Sequence, residues 1–245
     1  MRSRFFKDQG EAFVRGGIFS DKSSLILDWL LHSGKKTKSF SIREVAKEVH
    51  VSVGLVHKVF KVLIDHGILT PLGLRTAKSY HLKDPQKLLK SWLGEYNILK
   101  KCPMWMYQSG CAGKAEMIQL LETSPFRDQV AFALHSAAEV HGCKNTNLQT
   151  LELYLLDPSI KSDIEKLLFL EPQERGYEVL LIKPYYKSLI SQRIKKSHTV
   201  DATPLLITFL DFMHFPLRGR EQAEYMLEHI PELQSLIGDL NGFKS

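Results

Sequence analysis

One face of a predicted helix carries small, polar and cationic side chains that could bind a polyanion. The helix is expected over residues 53–66, with Ser52 as its N-cap and Gly67 at its end. At about 100° per residue, one side presents Gly54, His57, Lys58 and Lys61. The opposite side is apolar and consists of Val53, Val56, Val59, Phe60 and Leu63. Such a helix can bury one face and offer the other to the major groove of DNA, which is wide enough to admit it.

The flanking residues favour DNA binding over a purely solvated helix face, which is the commoner reason for such a pattern. Ser41 and Glu44 have the spacing of a capping box, which predicts a short preceding helix and a very short connection. Residues 68–70 and 79–82 resemble two strands, joined by a basic loop over residues 71–78 that could contact phosphates or the minor groove. The sequence therefore predicts a winged helix-turn-helix over residues 1–83. Its expected DNA-contacting residues are Ser52, Gly54, His57, Lys58, Lys61, Arg75 and Lys78.

Charge is distributed unevenly along the chain. Residues 1–83 hold 15 lysines and arginines against 7 aspartates and glutamates, a net +8, whereas the remainder is −2 within a total of +6. A basic excess in the predicted helix-turn-helix is typical of a segment that binds phosphates, because neutralising them releases counterions. The expected partner is double-stranded DNA. Since one winged helix contacts one half-site, palindromic binding would bring two copies together.

Composition limits the class of protein. The 245 residues are 44% hydrophobic and 24% charged, as in a folded globular protein of one or two domains. Cys102, Cys111 and Cys143 fit no disulfide framework or zinc pattern, which favours buried thiols in a reducing compartment. Residues 1–10 lack an apolar leader, and no apolar stretch reaches membrane length. We expect a cytoplasmic protein without a membrane segment, metal or cofactor.

Residues 84–245 predict a second domain of mixed α/β type. Asp84 and Pro85 suit the start of a helix that runs to about residue 100. Strands are then expected near residues 104–107, 151–156 and 178–182. Helices are expected near residues 113–121, 125–141, 160–170, 204–214 and 219–230. Strands alternating with helices predict a small sheet, so the whole chain is expected to be α+β.

The second domain lacks residues that a nucleotidyltransferase needs. Such an enzyme holds a triphosphate with a Gly-Ser turn and binds two metal ions through carboxylates at alternate positions of a strand. Ser109 and Gly110 could supply the turn, but Glu116 alone follows, and Tyr154 stands where a second carboxylate would belong. His135 and His141 are six residues apart, off one helical face, and form no metal-ligand pair. We therefore expect no enzymatic activity.

A charged cluster close to the C-terminus invites two interpretations. It consists of Asp211, His214, Arg218, Arg220 and Glu221. The favoured interpretation is structural: Arg218 and Arg220 would pair with Glu221, Glu224 or Asp211 and fix the angle between two helices. A surface for a partner or for DNA is the alternative.

Residues 203–227 resemble the closing segment of the AbiEi-type antitoxins, transcriptional regulators of type IV bacterial toxin–antitoxin pairs. The similar features are an apolar helix containing Asp211, the turn Arg218-Gly-Arg-Glu221 and a helix with Ala223 and Leu227. Residues 131–142 resemble the family's central alanine-rich helix, which ends in glycine.

The resemblance implies an autorepressing antitoxin that binds inverted repeats upstream of its operon. It also implies a functional link to a nucleotidyltransferase-like toxin without a stable complex, and a second domain with a non-catalytic nucleotidyltransferase-like fold. The alternative is a ligand-responsive winged-helix regulator whose C-terminal domain binds a metabolite.

Overall fold

The computed structural model describes residues 17–73, 78–193 and 199–237, and over these residues the chain is α+β. It divides into two compact units. One runs to Tyr96 and takes in the chain from Gln234 onward, and the other is Asn97–Leu233. The predicted boundary after residue 83 lies one helix earlier than this division. No helix among the described residues is long and apolar enough to cross a membrane.

The first unit combines helices with a pair of strands. Its helices are α1 (Asp21–His32), α2 (Ile42–Glu48), α3 (Val53–Asp65) and α4 (Pro85–Glu95). β1 (Leu69–Leu72) and β2 (Ser79–Leu82) pair antiparallel. The predicted capping box of Ser41 and Glu44 is present, and Ser52 caps α3. The predicted continuation of α4 to about residue 100 is wrong, because Tyr96 is extended and Asn97 caps a separate short helix.

An edge-to-face row of aromatic rings fixes α3 against α1 and the β1–β2 pair. Ring centroids lie 5.0 Å apart for Trp29 and Phe40, 5.8 Å for Phe40 and Phe60, and 4.9 Å for Phe60 and Tyr80. Phe40 and Tyr80 also exchange backbone hydrogen bonds of 3.0 and 2.8 Å. Such aromatic pairs contribute about 0.5–1.5 kcal/mol each beyond their buried area. The buried core therefore sets the orientation of α3, and the outer side chains of α3 take no part in this aromatic packing.

The second unit is built on one mixed sheet. Its strands are β3 (Met104–Ser109), β4 (Val130–Phe132), β5 (Leu151–Leu155), β6 (Leu170–Pro172) and β7 (Val179–Ile182). They lie in the order β4–β5–β7–β3–β6, with β5 and β7 parallel and the other neighbours antiparallel. The helices that follow α4 are α5 (Ile98–Lys101), α6 (Lys114–Thr123), α7 (Leu134–Val140), α8 (Lys161–Leu167), α9 (Lys187–Arg193), α10 (Leu205–Phe212), α11 (Gly219–His229) and α12 (Pro231–Ile237). The division between the two units falls inside α12. The predicted small sheet and the α+β class are confirmed.

Two predictions for this unit are wrong. Residues 130–132 are not helical but form β4, which pairs with β5, and Leu134 then takes a φ of 45° as α7 begins. The predicted helix over residues 160–170 ends earlier, since Phe169 has a φ of 50° and β6 follows it as a partner of β3. Apolar spacing fits a helix in both segments, and pairing within the sheet decides against it.

Candidate nucleic-acid interface

The outer face of α3 is cationic and open. Gly54, His57, Lys58 and Lys61 are exposed, whereas the core-facing residues Val56, Val59, Phe60 and Leu63 are buried. No aspartate or glutamate occurs over residues 53–64. Because a helix N-terminus carries partial positive charge, its first turn adds to the field of the lysines. This face suits a polyanion.

The hydroxyl of the N-cap of α3 donates to no acceptor within the described part of the chain. Ser52 is exposed, and its Oγ accepts a hydrogen bond of 3.2 Å from the backbone N–H of Leu55. A hydroxyl that accepts in this way can still donate its own proton. Ser52 can therefore cap the helix and donate to an external acceptor, such as a phosphate oxygen, at the same time.

Packing against the described residues does not require glycine at position 54. A Cβ built there would meet no heavy atom of those residues within 4 Å. Glycine inside a helix is less favourable than alanine by about 0.8–1.0 kcal/mol, so its presence here has a modest energetic cost. Because glycine has no side chain, an external partner can approach the backbone of α3 at this position, beside His57 and Lys58.

Val53 departs from its predicted place. The helical spacing assigns it to the apolar side, but its side chain is 50% exposed, in contrast to the fully buried Val56. Val53 is the first residue of α3, one turn before the helix meets the core. Its position at the start of the helix is the sequence feature that could have predicted the greater exposure of Val53.

The hairpin that follows α3 carries a further exposed lysine. Lys78 is exposed, and its Nζ lies 5.7 Å from the ring centroid of Tyr80, a buried residue that also contacts the ring of Phe60. Pro71, predicted to open the loop, instead pairs with Tyr80 inside the β1–β2 ladder. Arg75 lies outside the described residues. The position of Lys78 is thus tied through Tyr80 to the core that orients α3.

The C-terminal charged cluster separates into a buried acid and surface ion pairs. Asp211 is fully buried in α10, and its Oδ2 accepts a hydrogen bond of 2.9 Å from the hydroxyl of Tyr154. Arg218 instead pairs with Glu221, and Arg220 Nε lies 3.3 Å from Glu224 Oε1.

The exposed pair at the start of α11 shifts the titration of both partners. Hydrogen bonding from Arg218 lowers the pKa of Glu221, and the same bond raises the pKa of Arg218. These two side chains form a local ion pair at the surface, and the role of the cluster as a whole stays a prediction.

Close packing around Gly219 explains why the Arg-Gly-Arg-Glu turn has glycine at this position. A Cβ at Gly219 would overlap the carbonyl oxygen of Phe212 and lie 2.9 Å from Cβ of Phe215. Arg218, just before it, takes a left-handed φ of 51° as the N-cap of α11. The turn therefore lets α11 pack tightly against the end of α10.

His135 in α7 and His141, the C-cap of α7, contact different backbone carbonyls. His135 Nε2 lies 3.0 Å from the oxygen of Leu217, and His141 Nε2 lies 2.7 Å from that of Thr203. Burial lowers the pKa of His135, so its imidazole is neutral at pH 7. Both rings tie α7 to the segments flanking α10. Over the described residues, no group of three or more His, Cys, Asp or Glu side chains is placed to hold a metal ion.

The polar groups of the Ser109–Gly110 turn donate hydrogen bonds to backbone carbonyls of residues 168 and 169. Ser109 Oγ donates to the carbonyl of Leu168 at 2.7 Å, and the N–H of Gly110 donates to that of Phe169 at 3.0 Å. Glu116 accepts a 2.5 Å hydrogen bond from the N–H of Ala112 at the start of α6. These groups hold the β3–α6 connection together.

None of the three cysteines forms a disulfide with a described residue, and they are not equally buried. Cys102 and Cys143 are buried as predicted, and burial raises the pKa of Cys143 to about 11. Cys111 is half-buried, so the prediction of a buried thiol is wrong there. The Cys143 thiol therefore stays protonated at pH 7 and is a poor nucleophile.

Comparison with known proteins assigns no family. The chain matches no protein-family model, no curated protein and no solved structure. The resemblance of residues 203–227 to the AbiEi-type antitoxins stays a prediction.

Proposed function

We propose that this protein is a DNA-binding transcriptional regulator. In this proposal α2 and α3 form a helix-turn-helix, β1 and β2 form its wing, and α3 enters the major groove. The observation that carries it is the outer face of α3, where Gly54, His57, Lys58 and Lys61 are exposed and no acidic residue interrupts residues 53–64. The net +8 of residues 1–83 supports it, because phosphate neutralisation drives association.

Each contacting residue has a distinct role in this proposal. Gly54 lets the helix backbone approach the bases, while His57 and Lys58 reach base edges or phosphates. Lys61, Lys78 and the hydroxyl of Ser52 bind phosphates and fix the register of α3 in the groove. Arg75 adds a contact from the wing to phosphate or the minor groove.

We propose further that the regulator is an autorepressing, non-enzymatic antitoxin of the type IV kind, and that two copies assemble on an inverted repeat. The resemblance of residues 203–227 supports this finer assignment. So do the inward hydrogen bonds of Ser109 and the burial of Asp211 against Tyr154, which give both side chains structural roles. The partner would be a nucleotidyltransferase-like toxin that is opposed without a stable complex.

The experiment is a fluorescence anisotropy titration of the full chain on the duplex upstream of its own gene and on a scrambled duplex, at ~0.05 and ~0.2 M salt. Preference for the upstream duplex at the higher salt supports autoregulation. Equal and steeply salt-dependent binding to both duplexes would contradict an upstream operator. Absence of binding to either duplex at the lower salt would overturn the DNA-binding proposal.

A ligand-responsive regulator is the second candidate, and a cavity in the second unit favours it. The cavity has a volume of about 260 Å³ and is lined by polar side chains that include Lys114, Gln149, Thr150 and Tyr177. Behind it, the buried carboxylate of Glu152 accepts hydrogen bonds from Thr150 at 2.5 Å and from Tyr177 at 3.3 Å. This volume suits a small polar metabolite, since pockets for drug-sized ligands are about 300–1,000 Å³.

A thermal-shift screen of small polar metabolites tests the second candidate. A compound that stabilises the wild-type chain should stabilise a Gln149→Ala variant less, because that substitution removes an exposed amide from the cavity wall. A matched control is Gln119→Ala, on an exposed part of α6. No specific shift across the screen would leave the cavity without a ligand role and favour the plain repressor.

A further inference from the structure

Two large apolar side chains stand out on the surface of the first unit. Among its described residues, Val53 is 50% exposed and Leu72 is 40% exposed, and these are its exposed large hydrophobic side chains. Val53 begins α3, and Leu72 ends β1 at the hairpin. Both therefore belong to the elements that the proposed function places against DNA.

The surroundings of Val53 suit a specific contact. Gly54 follows it without a side chain, and a Cβ there would have open space around it. His57 lies one turn further along the same exposed face, at the i, i+4 spacing that makes two helical residues surface neighbours. Val53 thus projects at the leading end of α3, beside backbone that a groove floor can approach.

Helix propensity does not explain the valine at position 53. A β-branched residue is a weaker helix former than alanine, and half of this side chain stays in water. Its rigidity becomes useful when a partner covers it, because little rotamer entropy is then lost. In the major groove of DNA, the apolar group that distinguishes bases is the C5-methyl group of thymine.

We propose that Val53 contacts the C5-methyl group of one thymine in each half-site and thereby selects that base. This inference rests on the proposed function and adds to it a residue that determines specificity. The polar and cationic residues of α3 bind hydrogen-bonding groups and phosphates, while Val53 recognises a methyl group. Replacing thymine by deoxyuridine removes that methyl group and leaves every hydrogen-bonding group of the base pair in place.

The test uses a duplex enriched by the full chain from a randomised library. In that duplex each thymine is replaced in turn by deoxyuridine, and affinities are measured by anisotropy for the wild type and for Val53→Ala. Val53→Thr is the conservative variant, because it keeps the branched shape and one methyl group. Leu99→Ala is the matched control, since Leu99 is 51% exposed in the other unit.

One thymine per half-site should respond to deoxyuridine with a loss of wild-type affinity of about 3- to 10-fold, the range expected for a buried methyl group. Val53→Ala should bind thymine and deoxyuridine duplexes equally, whereas Leu99→Ala should behave as the wild type. Val53→Thr should retain part of the discrimination. Equal wild-type affinity at every position, or full discrimination retained by Val53→Ala, would overturn the assignment while DNA binding itself stands. Failure to enrich any duplex would overturn both proposals.

Discussion

The hydroxyl of Tyr154 donates a 2.9 Å hydrogen bond to Oδ2 of Asp211, and both side chains are buried. The bond joins β5, which lies between β4 and β7 in the sheet of the second unit, to α10. The hydroxyl of Tyr154 thus satisfies a buried carboxylate, which gives Asp211 a structural role.

Tyr154→Phe should therefore destabilise the protein. Removing a donor to a buried carboxylate should lower the free energy of unfolding by about 1–3 kcal/mol. Urea denaturation followed by circular dichroism measures this change. Tyr225→Phe, on α11 and only half-buried, is the control and should change stability little. Unchanged stability of Tyr154→Phe would show that the bond does not hold α10 to the sheet.

Gly219→Ala should be more damaging than its small size suggests. Its Cβ would overlap the carbonyl oxygen of Phe212, a backbone atom that cannot turn away, and α11 would have to shift from α10. Overpacking of this kind typically destabilises by about 1–3 kcal/mol. Thermal unfolding should therefore show a clearly lowered midpoint. A midpoint equal to that of the wild type would mean that the α10–α11 contact is looser than described.

Gly54→Ala should separate stability from function. Because the added Cβ meets nothing and alanine favours the helix, the free energy of unfolding should rise by up to about 1 kcal/mol. If the α3 backbone lies close to DNA, the same methyl group should reduce affinity for an enriched duplex. Denaturation and anisotropy on one preparation measure both quantities. Increased stability with unchanged affinity would place the groove floor away from Gly54.

The ionised carboxylate of Glu139 should contribute to stability at neutral pH, and this contribution should be lost in acid. Although partial burial opposes it, hydrogen bonding from Lys114 at 2.7 Å and Lys144 at 3.0 Å lowers the pKa of Glu139. A carboxylate with a lowered folded-state pKa stabilises at neutral pH, and this contribution is lost as the pH falls through that pKa, below the ordinary value of about 4.3.

Glu139→Gln should accordingly be less stable than the wild type at pH 7, by less than about 1 kcal/mol because the side chain is half exposed. The difference should shrink as the pH falls below about 4.3 and disappear once the pH is below the lowered folded-state pKa. Urea denaturation over a series of pH values from 7 downward checks this, with Glu122→Gln on α6 as a control. A difference that grows on acidification would contradict the assigned ion pairs.

Local features of the fold follow from the sequence, whereas the long-range contacts do not. The Ser41–Glu44 capping box and the Ser52 cap depend on residues three apart, so their residue types predict them. β4 shares its apolar spacing with a helix and is decided by its pairing with β5. The bond between Tyr154 and Asp211 spans 57 residues, which no local pattern reveals.

The candidate interface likewise contains residues whose exposure the sequence predicts and one residue, Val53, whose exposure it does not. Periodicity predicts the outward position of His57, Lys58 and Lys61, because a helix that buries its apolar face must expose the other. The same periodicity assigns Val53 to the core, since it takes no account of where along the helix the core begins. Packing of the neighbouring elements decides that, and it leaves Val53 half exposed.

The proposed contact between α3 and DNA is tested most directly by the salt dependence of binding for the wild type and for a Lys58→Ala/Lys61→Ala variant. A Lys166→Ala/Lys183→Ala variant removes the same charge from exposed positions of the second unit. If both α3 lysines neutralise phosphates, their loss should weaken binding to the enriched duplex and make the slope of log K against log salt shallower by about 2. The control variant should keep the wild-type slope. Unchanged affinity and slope for Lys58→Ala/Lys61→Ala would contradict the placement of α3 on DNA.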